Sequence, residues 1–128
     1  MVKINDVELK IDIMDADFSE RIENEMERVV NRSRKSDERF KQGNFKRSQY
    51  LREQCKVVFD FFDNVWGKDT HKKIFGDRCN FKECLAAFDE FVNAYKEKDK
   101  REAIELNNKY SSNRAQRRGN KRNNKRRG

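Results

Sequence analysis

Apolar residues are crowded into one stretch of this chain: residues 50–95 hold 23 of its 44 hydrophobic positions, residues 1–30 hold 14, residues 31–49 hold two and residues 96–128 hold five. Any core must be built from residues 50–95 and closed by the N-terminal block. A chain of 128 residues buries only about two-thirds of the surface that its unfolded form exposes, so little apolar mass is left for a second core. One small domain over residues 1–109 is expected, followed by a flexible tail over 110–128.

Within the crowded stretch, Leu51, Cys55, Val58, Phe59, Phe62, Val65 and Trp66 recur at helical spacing ahead of Gly67, which predicts a helix over 45–66. Including Val57 and Phe61 widens its apolar arc to roughly 200°, against the stripe of about 100° that covers one face of an ordinary surface helix. Such a helix needs cover on two sides, and Val57, Phe61 and Trp66 become candidates for an interface with another copy or another protein. The plainer reading is internal. Seven of the ten Phe lie between residues 59 and 91, and a small helical domain needs large side chains to fill its interior.

The flanking segments complete a mainly α fold with a short N-terminal β-hairpin, an α+β small helical bundle with a disordered basic C-terminal tail. Val2, Ile4, Val7, Leu9, Ile11 and Ile13 alternate with polar residues around Asn5-Asp6, predicting a hairpin over about 2–14. A lone hairpin is marginal in water, so it must pack on helices or pair with another chain. Asp17 with Glu20 resembles a capping box for a helix over about 17–42, whose apolar face is Phe18, Ile22, Met26, Val29 and Val30. Beyond Val30 only Phe40 can anchor it before Gly43, so the end of this helix is expected to be a solvated extension. Asp69 can cap a short helix over 70–75, ended by Gly76, and Asn80 with Glu83 can cap a last helix over 80–108. Phe81, Cys84, Leu85, Phe88, Phe91, Val92 and Tyr95 lie within about 120° on that helix, whereas residues 96–109 alternate in charge and offer little to bury.

Charge separates the tail from the body. Residues 1–109 carry 23 basic and 23 acidic groups, so the net charge of +8 comes wholly from Arg114, Arg117, Arg118, Lys121, Arg122, Lys125, Arg126 and Arg127. Cations on a flexible chain attract phosphate backbones by counterion release, so weak nonspecific nucleic-acid binding is one expectation; weak binding of acidic proteins or anionic lipid, or merely keeping the protein soluble, are the alternatives. The single tyrosine nearby, Tyr110, stands outside the cationic run, so the interleaved stacking platform of many single-strand binders is missing.

Catalytic chemistry finds no constellation. His71 is the single histidine, Cys79 and Cys84 lack a second pair, and Cys55 and Cys84 fall on apolar stripes where cysteine acts as a small hydrophobe. Neither phosphate-loop nor dinucleotide glycine spacing occurs, so no enzyme activity, metal or cofactor is expected. No apolar run reaches the 18 or so residues of a membrane span, and MVKINDVELK lacks the apolar core of a signal peptide. With three cysteines and no even framework, reduced thiols and a cytoplasmic location are expected, with no membrane partner.

The opening VKINDVELKIDIMDADFSERIENEMERV, the block LREQCKVVFDFFDNVWGKDTHKKIFG and the following NFKECLAAFDEFVNAYKEK together resemble a family of small proteins from phages and prophages of Gram-positive bacteria. The shared pattern is a hairpin with "I-N-x-V-E", an acidic helix, "C-x-x-V-F-D-F-F-D" leading to "I-F-G", and an "A-F-x-E-F-V" helix, over roughly residues 2–98. The closing KYSSNRAQRRG looks like the basic ends of several phage tail-module proteins. The resemblance implies a non-catalytic tail assembly chaperone in the bacterial host cytoplasm. Such a protein coats the tape measure protein, or binds another tail component, and is expected to form homo-oligomers. It implies that Val58, Phe59, Phe61 and Phe62, with Phe88, Phe91 and Val92, build the fold and that surplus members face the client. Two alternatives stand beside it: a nucleic-acid-binding phage protein that uses the basic tail, and a small phage-encoded inhibitor of a host target.

Overall fold

A computed structural model describes residues 2–43 and 45–127, with side chains through Lys109. The order of elements is β1 (Val2–Ile4), β2 (Val7–Leu9), α1 (Ala16–Lys41), α2 (Arg47–Trp66), α3 (Thr70–Phe75) and α4 (Phe81–Arg127). The fold is mainly α with an N-terminal antiparallel hairpin, and the chain divides into two compact units, Met1–Ala94 and Tyr95–Gly128.

The hairpin closes through Asn5 and Asp6, both at positive φ (47° and 67°), with Ile4 paired to Val7 and Val2 to Leu9. A two-residue turn of this hand demands left-handed backbone at both positions, and Asn and Asp tolerate it without glycine. The strands end at Leu9, well before residue 14. The Lys10 carbonyl accepts the Trp66 indole N–H at 2.8 Å, and the chain then turns as the Asp15 N–H reaches the Asp12 carbonyl. Ile4, Leu9 and Ile11 are buried, so the hairpin's inner face is covered by its own chain.

Asp15, not Asp17, caps α1: its Oδ1 accepts the Asp17 N–H at 3.2 Å, and the Ser19 hydroxyl donates to the Ile13 carbonyl. The second half of α1 is not a solvated extension. It lies antiparallel on α2 through a series of polar contacts. Asn64 Nδ2 donates to Glu25 Oε2 at 3.1 Å, Arg32 Nη1 to Asp60 Oδ2 at 2.8 Å and Arg39 Nη2 to Glu53 Oε1 at 3.0 Å. Between these, the Ser33 hydroxyl donates to Gln54 Oε1 at 2.9 Å, while Gln54 Nε2 donates to the Ser33 carbonyl and to Asp37 Oδ1. The Tyr50 hydroxyl donates to the same Asp37 oxygen, and Phe40 stacks on the Tyr50 ring. Side-chain groups thus hold a helix that hydrophobic periodicity does not mark.

The core sits around α2. Phe61 is ringed by Phe62, Phe88 and Phe91 at centroid separations of 5.4, 5.1 and 5.3 Å, and Trp66 meets Phe91 at 5.1 Å. Each fully buried aromatic or branched side chain contributes on the order of 1.5–3 kcal/mol relative to exposure. The pairs Tyr50–Phe81, Phe61–Phe88 and Trp66–Phe91 run in the same order along both helices, so α2 and the stretch of α4 from Phe81 to Phe91 point the same way. Asn80 caps α4, its Oδ1 accepting the Glu83 N–H at 3.1 Å.

In the second unit, Arg101 and Glu97 pair one turn apart at 3.7 Å, and Ile104 and Leu106 are exposed. Helical backbone is assigned to Arg127, past the expected end near 108. The flexibility expected of residues 110–128, and the cations from Arg114 to Arg127, fall outside the residues whose side chains are described.

Candidate protein-binding groove

Two of the three expected interface residues are not on a surface. Val57 is 2% exposed and Phe61 is fully enclosed, while Trp66 is half-buried with its indole N–H bonded to Lys10. The wide arc of α2 is covered within the first unit by α1 on one side and by α4, α3 and the hairpin on the others. Its two-sided apolarity is therefore met internally.

The uncovered apolar surface lies one layer further out. Between α1 and α4, above α2, runs a groove of about 350 Å³, floored by Gln54, Val57 and Val58. Val29, Val30 and Ser33 form the α1 wall, and Phe81, Leu85 and Phe88 form the α4 wall. Val30 is 63% exposed and Leu85 is 42% exposed, and both face the same trough. The Gln54, Ser33 and Asp37 hydrogen bonds fasten the α1 wall to the floor.

Sequence reasoning counted Val30 and Leu85 with the core. An angular signal was present: at about 100° per residue, Val30 lies about 80° from the buried Ile22 and Leu85 about 100° from the buried Cys84, each at the rim of its stripe. What periodicity lacks is the position of the neighbouring helix, which decides which rim is covered.

The titratable groups serve packing and capping. Burial, followed by contact with the Cys79 thiol, pushes the Cys55 thiol up, and burial pushes Cys84 up to about 11, so both stay protonated near neutral pH. His71 Nδ1 lies 2.7 Å from Asp63 Oδ2, while Asp63 Oδ1 accepts the His71 backbone N–H at 2.9 Å. Phe59 stacks on the imidazole at 4.6 Å, so this pair anchors the start of α3. Among the described residues, no group of three His, Cys, Asp or Glu side chains gathers as metal ligands, and no helix is long and apolar enough to cross a membrane.

These features define a small α+β protein whose prominent site is a helix-lined apolar trough. The chain belongs to a family of unknown function, DUF6673, whose sequence pattern matches residues 5–121. No curated protein and no solved structure matches it.

Proposed function

We propose that this protein is a non-enzymatic phage tail assembly chaperone that binds the tape measure protein and keeps it soluble while the tail tube forms. The observation that carries the reading is the groove with Val30 and Leu85 exposed on facing walls, a shape that accepts the apolar face of an amphipathic helix. The resemblance of the hairpin, the VVFDFFD block and the AAFDEFV helix to phage tail-module proteins supports the same role. Action in the bacterial host cytoplasm and self-association belong to this reading.

Co-expression with a tape measure fragment, followed by size-exclusion chromatography with light scattering, tests it. Co-elution is expected, and the Val30→Glu, Leu85→Glu double variant is expected to lose it while keeping its helical circular dichroism. Unchanged co-elution by that variant would remove the groove from the reading. A second reading, weak binding of nucleic acid, has one specific support: eight cations and no acid after Tyr110. It expects salt-steep, sequence-indifferent binding that disappears on truncation after Tyr110.

A further inference from the structure

The groove carries an electrostatic polarity as well as an apolar floor. Arg34 lines it from α1 and Asp89 lines it from α4, so unpaired charges of opposite sign stand on its two walls. Both side chains are exposed, and neither enters an ion pair or hydrogen bond among the described residues. Arg28, Arg32, Arg39, Arg78 and Arg101, by contrast, have carboxylate partners, so Arg34 keeps its donors for a ligand. Asp37, the other acid lining the trough, already accepts from Tyr50 and Gln54 and has less capacity left for a ligand.

From this we infer that the groove takes an amphipathic α-helix of another protein that carries opposite charges on its two flanks, a carboxylate facing Arg34 and a cation facing Asp89. The inference rests on the proposed helix-binding role and specifies the client's chemistry. A helix suits the space because the walls and floor are themselves helices, whose ridges and grooves accept another helix and leave no strand edge to pair with. Val30 and Leu85 supply the apolar contact. The rim charges supply direction, because turning the helix end for end exchanges its flanks and brings like charges together. Burial of the apolar stripe also lowers the local dielectric beside the rim, which strengthens the two ion pairs relative to fully exposed ones.

The test uses the full chain and three synthetic helical peptides with the same leucine stripe: one with Glu on one flank and Lys on the other, one with Glu on both, and one with Lys on both. Binding is read by fluorescence anisotropy at low and moderate salt. The mixed peptide is expected to bind about two- to five-fold more tightly than either single-sign peptide, the range of exposed to partly covered ion pairs, with the preference shrinking as salt rises. Arg34→Glu should move the preference to the Lys-flanked peptide, and Asp89→Lys should move it to the Glu-flanked one. The basic tail attracts acidic peptides equally in the parent and the variants, so the shift between them is the quantity that decides.

A preference that does not move with charge reversal overturns the inference, as does failure of every peptide to bind. Neither result touches the helix-binding role if the tape measure fragment still co-elutes and Val30→Glu with Leu85→Glu still abolishes it. A concentration-dependent dimer of the free chain that those two substitutions dissolve would show that a second copy fills the groove, and would overturn the inference as well.

Discussion

The two halves of the α1–α2 pair are joined by opposite kinds of chemistry. Toward the end of α2, Ile22 is buried in the same core as Phe61, Phe62 and Val65, and removal of apolar surface from water holds the helices together. Toward its start, α1 offers Phe40 alone as an apolar residue, stacked on Tyr50, and Ser33–Gln54–Asp37, Tyr50–Asp37 and Arg39–Glu53 make most of the contact, following on from the Asn64–Glu25 and Arg32–Asp60 bonds nearer the other end. The first half tolerates imprecise geometry because the hydrophobic effect is non-directional. The second half depends on donors meeting acceptors, above all at the buried Gln54, since a buried polar group left alone costs more than a satisfied one contributes. A polar helix can therefore be as firmly placed as an apolar one, but it is less forgiving of substitution.

This contrast can be broken from either end. The largest effect is expected from Phe61→Ala, which empties the centre of the apolar half and should cost about 3–5 kcal/mol in urea unfolding. A loss below about 1 kcal/mol would mean that the ring of Phe62, Phe88 and Phe91 closes over the space. In the polar half, Gln54→Ala removes the residue that answers both Ser33 and Asp37, and about 1–3 kcal/mol should be lost. Hydrogen exchange should then rise selectively along residues 31–41. Uniform exchange throughout α1 would show that the two halves unfold as one.

Ser36 gives a smaller effect of opposite sign. It is fully buried on α1 and its hydroxyl has no hydrogen-bond partner among the described residues. Ser36→Ala removes an unsatisfied polar group and adds helix propensity, so thermal unfolding should show a gain of about 1 kcal/mol. A loss would reveal a hidden partner for the hydroxyl. The smallest expected effect is the response to alkaline pH. The hydrogen bond to Asp37, helped by burial and by the charge of the same carboxylate, pushes Tyr50 from 10.0 up to about 12. The folded state thus favours the neutral phenol. Its contribution is complete below pH 10 and is lost as pH rises toward about 12. Tyr50→Phe should flatten that part of the stability curve, and an unchanged slope would assign the pH response to other groups.

The same contrast explains what the sequence made legible. The α2 stripe, the Asn80 cap, the short helix over 70–75 and the Asn5-Asp6 turn each depend on local spacing or local backbone preference, and each stands in the structure. Residues 31–41 were misjudged because Ser33, Asp37 and Arg39 meet partners 13–21 positions away, through groups that look like an ordinary solvated face. Val57 and Phe61 are enclosed by their own chain, Val57 as part of the groove floor. An arc width tells how much of a helix must be covered, not whether the cover comes from the same chain. The groove rim at Val30 and Leu85 depends on the placement of α1 beside α4, which no single helix encodes.

Trp66 is the single tryptophan of the chain, and its indole N–H is fastened to the Lys10 carbonyl at the foot of the hairpin. The molecule consequently contains its own optical gauge of the N-terminal ribbon. If the ribbon lifts away, the indole exchanges a carbonyl for water and its emission moves to the red. A red shift that precedes loss of helical signal on warming would mark the hairpin as the first piece to detach, and a coincident transition would make it integral to the cooperative unit.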